Sequence, residues 1–232
     1  QAEGMKRDPI AGRWPVRAGR RARPEPKASA APSAPMAAAH FVTLLKRGQL
    51  AAPQHAELRA GKPHRVRPVT GQAAGVLQRL RRELEVAVVG AGLQASVSVR
   101  PLVRLGGTDL WRPQLALFPA REGAALTTQG ATVEAARALL VVELGEGAAE
   151  AERLAGFASG GVGELWSLCL CQGWTVRYRS PWAGRFQSRT LWYPGEAVPV
   201  AALAGVQVEA LEEGYRPATL LAGGPDCRNL PW

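Results

Sequence analysis

Residues 86–95 read VAVVGAGLQA and place Gly90, Gly92 and Ala95 at the spacing G-x-G-x-x-A. That spacing could cradle a pyrophosphate, because the glycines let the backbone approach the phosphates and a helix starting there aims its positive end at them. The chemistry needs that helix. Here Ser96-Val97-Ser98-Val99 alternates with the period of a strand and Pro101 follows, so the glycines are predicted to join two strands and to hold no dinucleotide. Cys169, Cys171 and Cys227 are too few and too oddly counted for a disulfide framework. Cys169 and Cys171 lie two apart in a strand-like stretch and so share a face. A structural zinc site needs four ligands, and His40, His55 and His64 are far off in sequence. The two cysteines read as buried small apolar residues in a reducing, cytoplasmic setting.

Charge is the next chemical signal. Lys and Arg number 29 against 19 Asp and Glu, a net +10. Residues 1–35 hold eight basic and three acidic residues, or +5, and the remaining 21 and 16 supply the other +5. A basic surface favours polyanions, nucleic acid first, through counterion release and long-range attraction. An Ala- and Arg-rich composition by itself also yields a basic protein, and both readings stand at this level. No stretch approaches the ~20 consecutive apolar residues of a membrane span, and no apolar run near the N-terminus suggests a secretory signal. No membrane partner is therefore expected.

The elements that must position such residues follow from periodicity. Residues 1–35 mix Ala, Pro, Arg and Ser without an apolar period, which reads as a disordered basic tail. Met5 is the expected start of translation, with Met36 a second candidate. Residues 36–232 are expected to form a single folded domain. Phe41, Leu44, Leu45 and Leu50 suggest a short helix and turn. Residues 72–85 form the clearest amphipathic helix, with Ala73, Val76, Leu77, Leu80 and Leu84 on one stripe. The run Val86 to Val89 and the alternating Ser96 to Arg100 read as strands, as does Gln114 to Phe118. Leu139 to Val142 has no polar face, so it is predicted to be a central strand covered on both sides and ending at Glu143. A helix over about 148–159 should turn Ala151, Leu154, Phe157 and Ala158 inward. Strands at 164–171, 174–179 and 186–193 close the pattern in antiparallel fashion. Together these give an α/β domain, a mixed β-sheet flanked by two main helices.

Four stretches, in this order, resemble the Uma-two family of restriction-endonuclease-like proteins, within the PD-(D/E)XK nuclease superfamily. Glu57 to Lys62 (ELRAGK) is similar to the family's opening E-L-x-x-G strand pair. Trp111 to Leu117 (WRPQLAL) is similar to its x-P-D-hydrophobic strand. Leu140 to Leu144 (LVVEL) resembles its L-V-V-E-V strand. Phe157 to Trp166 (FASGGVGELW) resembles its Y-A-x-A-G-V-x-E-Y-W segment. The resemblance implies a restriction-endonuclease-like fold and a site built from four positions: a Glu of the first strand pair, the Asp after Pro, the Glu of V-V-E, and a Lys on the following helix. In that chemistry the carboxylates hold one or two Mg²⁺ ions and the Lys orients or activates the attacking water.

On this chain the four positions are Glu57, Gln114, Glu143 and Arg153. Two match. Gln114 can offer a carbonyl oxygen but no negative charge to a hard cation, and Arg153 stays protonated and cannot take a proton from water. Ala73 stands roughly where the family has a His. Asp109 and Glu146 are the nearby acids that could migrate into the site, although Asp109 sits in a Gly-Gly-Thr-Asp stretch that reads as a loop. Glu143 is the best remaining metal ligand. A buried Glu143 needs a partner, and the expectation is that Arg153 supplies it, a guanidinium where a metal would otherwise sit; the plain alternative is a solvated helix arginine.

Three functions follow from the resemblance and the charge. The first is a catalytically degenerate nuclease-fold protein that takes no cofactor and binds DNA without cutting it, gripping phosphates with Arg65, Arg67, Arg79, Arg82, Arg100 and Arg104. The second is a Mg²⁺-dependent endonuclease with a rearranged site. The third is a protein-interaction scaffold using tryptophans such as Trp166, Trp174, Trp182 and Trp192, whose default place is the core. A homodimer is compatible with each.

Overall fold

The computed structural model describes residues 34–50, 52–126, 128, 130–145 and 147–215. Contacts divide the chain between Ser33 and Ala34. The expected disordered tail lies outside the described residues except for Ala34 and Pro35, as do Glu146 and Cys227.

Helix α1 (Ala38–Lys46) buries Phe41 and Leu45. It packs on a five-stranded sheet made of β1 (Ala56–Arg59), β2 (Lys62–Arg65), β4 (Val103–Gly106), β5 (Asp109–Trp111) and β7 (Val133–Glu134), in the order β2-β1-β5-β4-β7. Leu58 and Leu110, opposite one another across β1 and β5, join Phe41, Leu45 and Leu102 in one apolar cluster. Because side chains alternate along a strand, Glu57 and Arg59 then project to the other face.

A second sheet has six strands. They are β3 (Ala95–Val99), β6 (Leu115–Pro119), β8 (Leu140–Leu144), β9 (Glu164–Cys169), β10 (Trp174–Trp182) and β11 (Arg185–Trp192), in the order β11-β10-β9-β8-β6-β3. Only β8 and β9 pair in parallel, and α4 (Gly147–Ser159) makes the crossover between them. Alternation again divides the faces. Leu115, Leu117, Leu140, Val142, Trp166 and Leu168 face α2 (Gly71–Gly90). Ala116, Phe118, Val141 and Leu165 face Phe157 of α4. Glu143 shares parity with Val141, and Ser167 with Leu165, so both are directed to the α4 face. A short hairpin, β12 (Ala197–Pro199) with β13 (Gln207–Glu209), closes over α2, and a short α3 (Ala120–Ala125) follows β6. The fold class is thus the expected α/β one, a mixed sheet flanked by helices, with a second sheet in addition. No helix among the described residues is long and apolar enough to cross a membrane.

Four local expectations are corrected. The run Val86–Val89 is not a strand but the last turn of α2. The buried ladder Val76, Leu80, Leu84, Val88 continues at i+4, and that packing outweighs the β-preference of valine; Val86 and Val89 are left in water. The Gly90-Ala91-Gly92 turn therefore joins a helix to β3 rather than two strands, with Gly92 at φ 65°, and no helix follows it. Ala151 is exposed, because the inward stripe of α4 runs through Glu150, Arg153, Leu154 and Phe157. Cys169 is buried and free, its thiol pushed up to about 11 first by burial, but β9 ends there and Cys171 lies beyond the strand.

The helical reading of 86–89 can be checked by substitution. Leu80→Ala should cost about 2–5 kcal/mol of stability in urea denaturation, because Leu80 is fully buried. Val89→Ala, 78% exposed, should change stability by no more than about 0.5 kcal/mol; a large loss there would return this run to the core.

Candidate functional site

The two sheets meet where Arg112, Pro113 and Gln114 carry the chain from β5 into β6. Gln114 donates its backbone N–H to Val142 O at 3.1 Å, which sets Gln114 beside the end of β8 and Glu143. Glu57 comes from the other sheet. It is fully buried, and its Oε1 accepts the Arg112 backbone N–H at 2.7 Å. Arg59, two residues on and on the same face, donates Nε and Nη2 to Glu57 Oε2 at 3.0 and 2.8 Å.

Arg153 reaches into this junction from α4, ten residues after Glu143. Its Nη2 donates to Glu143 Oε1 at 2.7 Å and to Arg112 O at 3.0 Å. Its Nη1 lies 3.3 Å from both oxygens of Glu57. One guanidinium therefore bridges a carboxylate of each sheet. Trp111 makes the floor: the guanidiniums of Arg59 and Arg153 lie 5.5 and 5.3 Å from its ring centroid. Phe157 meets Trp111 edge-on at 5.4 Å and lies 5.4 Å from the Arg153 guanidinium. Gly156 makes that approach possible, since a Cβ there would stand 2.1 Å from the indole.

Burial pushes the Glu143 carboxyl up, to about 7, against the pull of Arg153 and with some help from the charge of Glu57. Burial also works against the Arg153 charge, but the two carboxylates outweigh it and hold the guanidinium above its usual range. Arg112 and Arg100 are both lowered, chiefly by burial.

A cleft of about 620 Å³ opens beside this cluster. Gln114, Glu143, Glu150 and Arg153 line its inner part, and Arg65 and Arg67 its outer part. The structure thus brings together Glu57, Gln114, Glu143 and Arg153, although Glu57 lies beneath Arg59 and Arg153 and does not face the cleft. Ala73 lines the cleft as well. Of the six arginines expected to grip phosphates, Arg65 and Arg67 are exposed at the cleft, and Arg82 is exposed on α2. Arg79 pairs with Glu83 and donates to the carbonyls of Glu209 and Ala210 at 3.2 and 3.0 Å, tying β13 to α2. Arg104 sits 3.6 Å from Glu134 and 3.5 Å from Thr132 Oγ1. Arg79 and Arg104 thus serve the fold's own contacts. Arg100 is half-buried at φ 48°; its Nη1 lies 3.5 Å from Arg67 O, and its Nε and Nη2 have no partner among the described residues. Asp109 does not approach the site; it accepts from Ala60 N at 2.8 Å and Thr108 Oγ1 at 3.0 Å, bracing the β1–β2 turn.

Residues that sequence reasoning passed over complete the arrangement. Trp111 and Arg112 reach Glu57 and Arg153 through the pairing of β1 with β5, and Arg59 meets Glu57 two residues away on the same face of β1. Glu150 is buried in the cleft wall, accepts from Ser167 Oγ, and has its other oxygen without a partner; burial raises its carboxyl. Its place on the inward stripe of α4, three residues before Arg153, was the available signal.

The donor set does not suit a hard divalent cation. Glu57 is engaged by three donors, Glu143 faces the same guanidinium, and Gln114 is neutral. Among the described residues no three His, Cys, Asp or Glu gather around a common point.

A solved structure from Anabaena variabilis ATCC 29413, described as "a putative nuclease belonging to DUF820", has a similar fold. The similarity has a TM-score of 0.59 at 14% identity and covers 76% of this chain and 96% of that one. The fold is nuclease-like. No family model matches the chain, and no curated protein does.

Removing the bridging cation should be costly. Arg153→Met is expected to lower stability by about 3–5 kcal/mol, since it strands the buried Glu143 carboxyl and removes one of the cations beside Glu57, and Arg153→Met with Glu143→Gln should recover part of that loss; equal losses in the single and double variants would mean Glu143 does not depend on Arg153. Acid–base linkage gives a second check. The folded Glu143 carboxyl, raised from 4.5 to about 7, holds a proton that the unfolded chain has released, so its contribution to stability is full below about pH 4.5 and fades as pH rises toward 7. The stability of wild type minus that of Glu143→Gln should therefore fall by about 1–3 kcal/mol between pH 4.5 and 8, read by denaturant titration at each pH; a rise would contradict the burial argument.

Proposed function

We propose that the protein uses a nuclease-like fold of the PD-(D/E)XK kind, the superfamily implied by the Uma-two resemblance, to bind DNA without cutting it. The observation that carries this reading is the seat of Arg153 between Glu57 and Glu143. Metal-assisted phosphodiester hydrolysis needs carboxylates that can turn to a hard cation and a group that can position or deprotonate water. Here the carboxylates are turned to guanidiniums, the third position is the neutral Gln114, and the fourth cannot give up its proton.

Binding is supported by separate features. Arg65 and Arg67 are exposed at the cleft, and the chain carries +10 overall. Contacts of this kind fix a phosphate backbone without reading bases, so binding should be largely independent of sequence and weaken with salt.

The test pairs a cleavage assay with a binding assay. Plasmid incubated with the protein and Mg²⁺ or Mn²⁺ is expected to stay intact. Fluorescence anisotropy in EDTA should show DNA binding whose log affinity falls by about 0.9 per log unit of salt for each phosphate contact, and Arg65→Gln with Arg67→Gln should lower that slope by about 1–2. Scission that disappears with EDTA and in Glu143→Ala would overturn the reading.

A further inference from the structure

A second basic surface lies on the longest strands, β10 and β11. They pair from Thr175↔Trp192 to Trp182↔Arg185 and close through Ala183 and Gly184, both at positive φ, 47° and 75°, as a tight two-residue hairpin turn requires. The partner strand β9 accompanies β10 only as far as Arg179, opposite Glu164, and β11 is the sheet edge. The tip therefore runs past the sheet and rests near Ser159 at the end of α4.

Between Glu164 and Glu196 the chain has four arginines and no acidic residue. Arg177 is buried and donates Nε to Glu164 at 2.9 Å. Arg179, Arg185 and Arg189 are exposed; Arg185 and Arg189 share one face of β11 and Trp182 stands opposite Arg185, whereas Arg179, opposite Ser188, takes the other face. Trp182, beside the turn, is 74% exposed. Arginines alone on an edge strand could serve only to repel another sheet. A single ring in water needs no explanation by itself; its place opposite Arg185, on the face of Arg189, is what points to a ligand. Positive charge and a free indole on one face together match a polyanion that also offers flat apolar faces: a nucleic acid with unpaired bases.

We propose that the β10–β11 hairpin contacts single-stranded nucleic acid, with Arg185 and Arg189 on its phosphates and Trp182 stacked on a base. This rests on the DNA-binding function proposed above and names a second contact for it. Val176 stands opposite Ser167, and Ser167 opposite Glu143, so the six residues to Trp182 put the tip about 20 Å along the strand from the cleft cluster. A strand engaged at both places would lie across the α4 side of the sheet.

Anisotropy titrations of the full chain compare a labelled oligothymidine with a duplex of the same length. Trp182→Ala should weaken oligothymidine binding on the order of tenfold, Trp182→Phe should restore most of it, and duplex binding should change little. The double Arg185→Ser, Arg189→Ser variant should lower the single-strand salt slope by about 1–1.5. If wild type binds and only the Arg65 and Arg67 variant is impaired, the hairpin proposal falls and the cleft reading stands. If wild type binds neither oligonucleotide, both fall. A Trp182→Ala variant that changes only the sedimentation of the protein would identify the tip as a contact with a second copy and overturn the proposal.

Discussion

Arg153 cannot be buried where it is without carboxylates beside it, and Glu143 takes its guanidinium contact from Arg153, while Glu57 is held by Arg59 and the Arg112 N–H as well. That shared cation ties together parts of the fold that otherwise keep separate cores. Glu57 belongs to the five-stranded sheet, whose apolar contacts run to α1. Glu143 belongs to the six-stranded sheet, whose contacts run to α2 and α4. The guanidinium on α4 spans both, and Trp111, on the strand paired with that of Glu57, supplies a ring face beneath it. Shifting β5 against β6 would move Glu57 away from Arg153 and the indole away from Gly156 together.

Such a cluster is not an efficient source of stability. Removing two charges from water costs several kcal/mol per ion, and an apolar cluster of the same shape often does as well or better. The geometry also spreads the charge unevenly. Glu57 collects donors from Arg59, Arg112 and Arg153, while Glu143 has one guanidinium and full burial, and its carboxyl is correspondingly raised. On the proposed reading these are polar positions that the nuclease-like framework directs inward, neutralised here by guanidinium in place of a cation. A metal ion would need Arg153 to leave, and its departure would take from Glu143 the guanidinium it faces.

Much of this was legible in the sequence where it rested on short-range pattern. The apolar run ending in Glu143 announced a strand covered on both faces, and alternation then fixed which face Glu143 would take. The stripe of α2 was readable, but its end was not: Val86 to Val89 have β-branched side chains, and only the continued ladder to Val88 shows that the helix persists. The four site positions came from order of motifs rather than from physics, and the structure brings them together. Trp111 and Arg112 were missed because nothing in the local sequence says that β1 pairs with β5; Arg59 was missed although its i, i+2 spacing from Glu57 on one strand was a local signal. Glu150 was missed although it lies three residues before Arg153, because a glutamate in the first turn of a helix normally reads as a solvated residue.

The same long-range pairing separates two kinds of arginine that a net charge of +10 cannot distinguish. Arg79, Arg104, Arg112 and Arg153 are spent on carboxylates and carbonyls within the chain. Moving a bound phosphate onto Arg112 or Arg153 would uncover a buried acceptor, so their contribution to binding is offset by what they leave behind. Arg65 and Arg67 at the cleft, and Arg179, Arg185 and Arg189 on the hairpin, carry no such obligation and meet water, as does Arg82 on α2. Counting basic residues therefore overstates the charge free to meet a polyanion, and the difference is the charge the fold consumes in its own contacts.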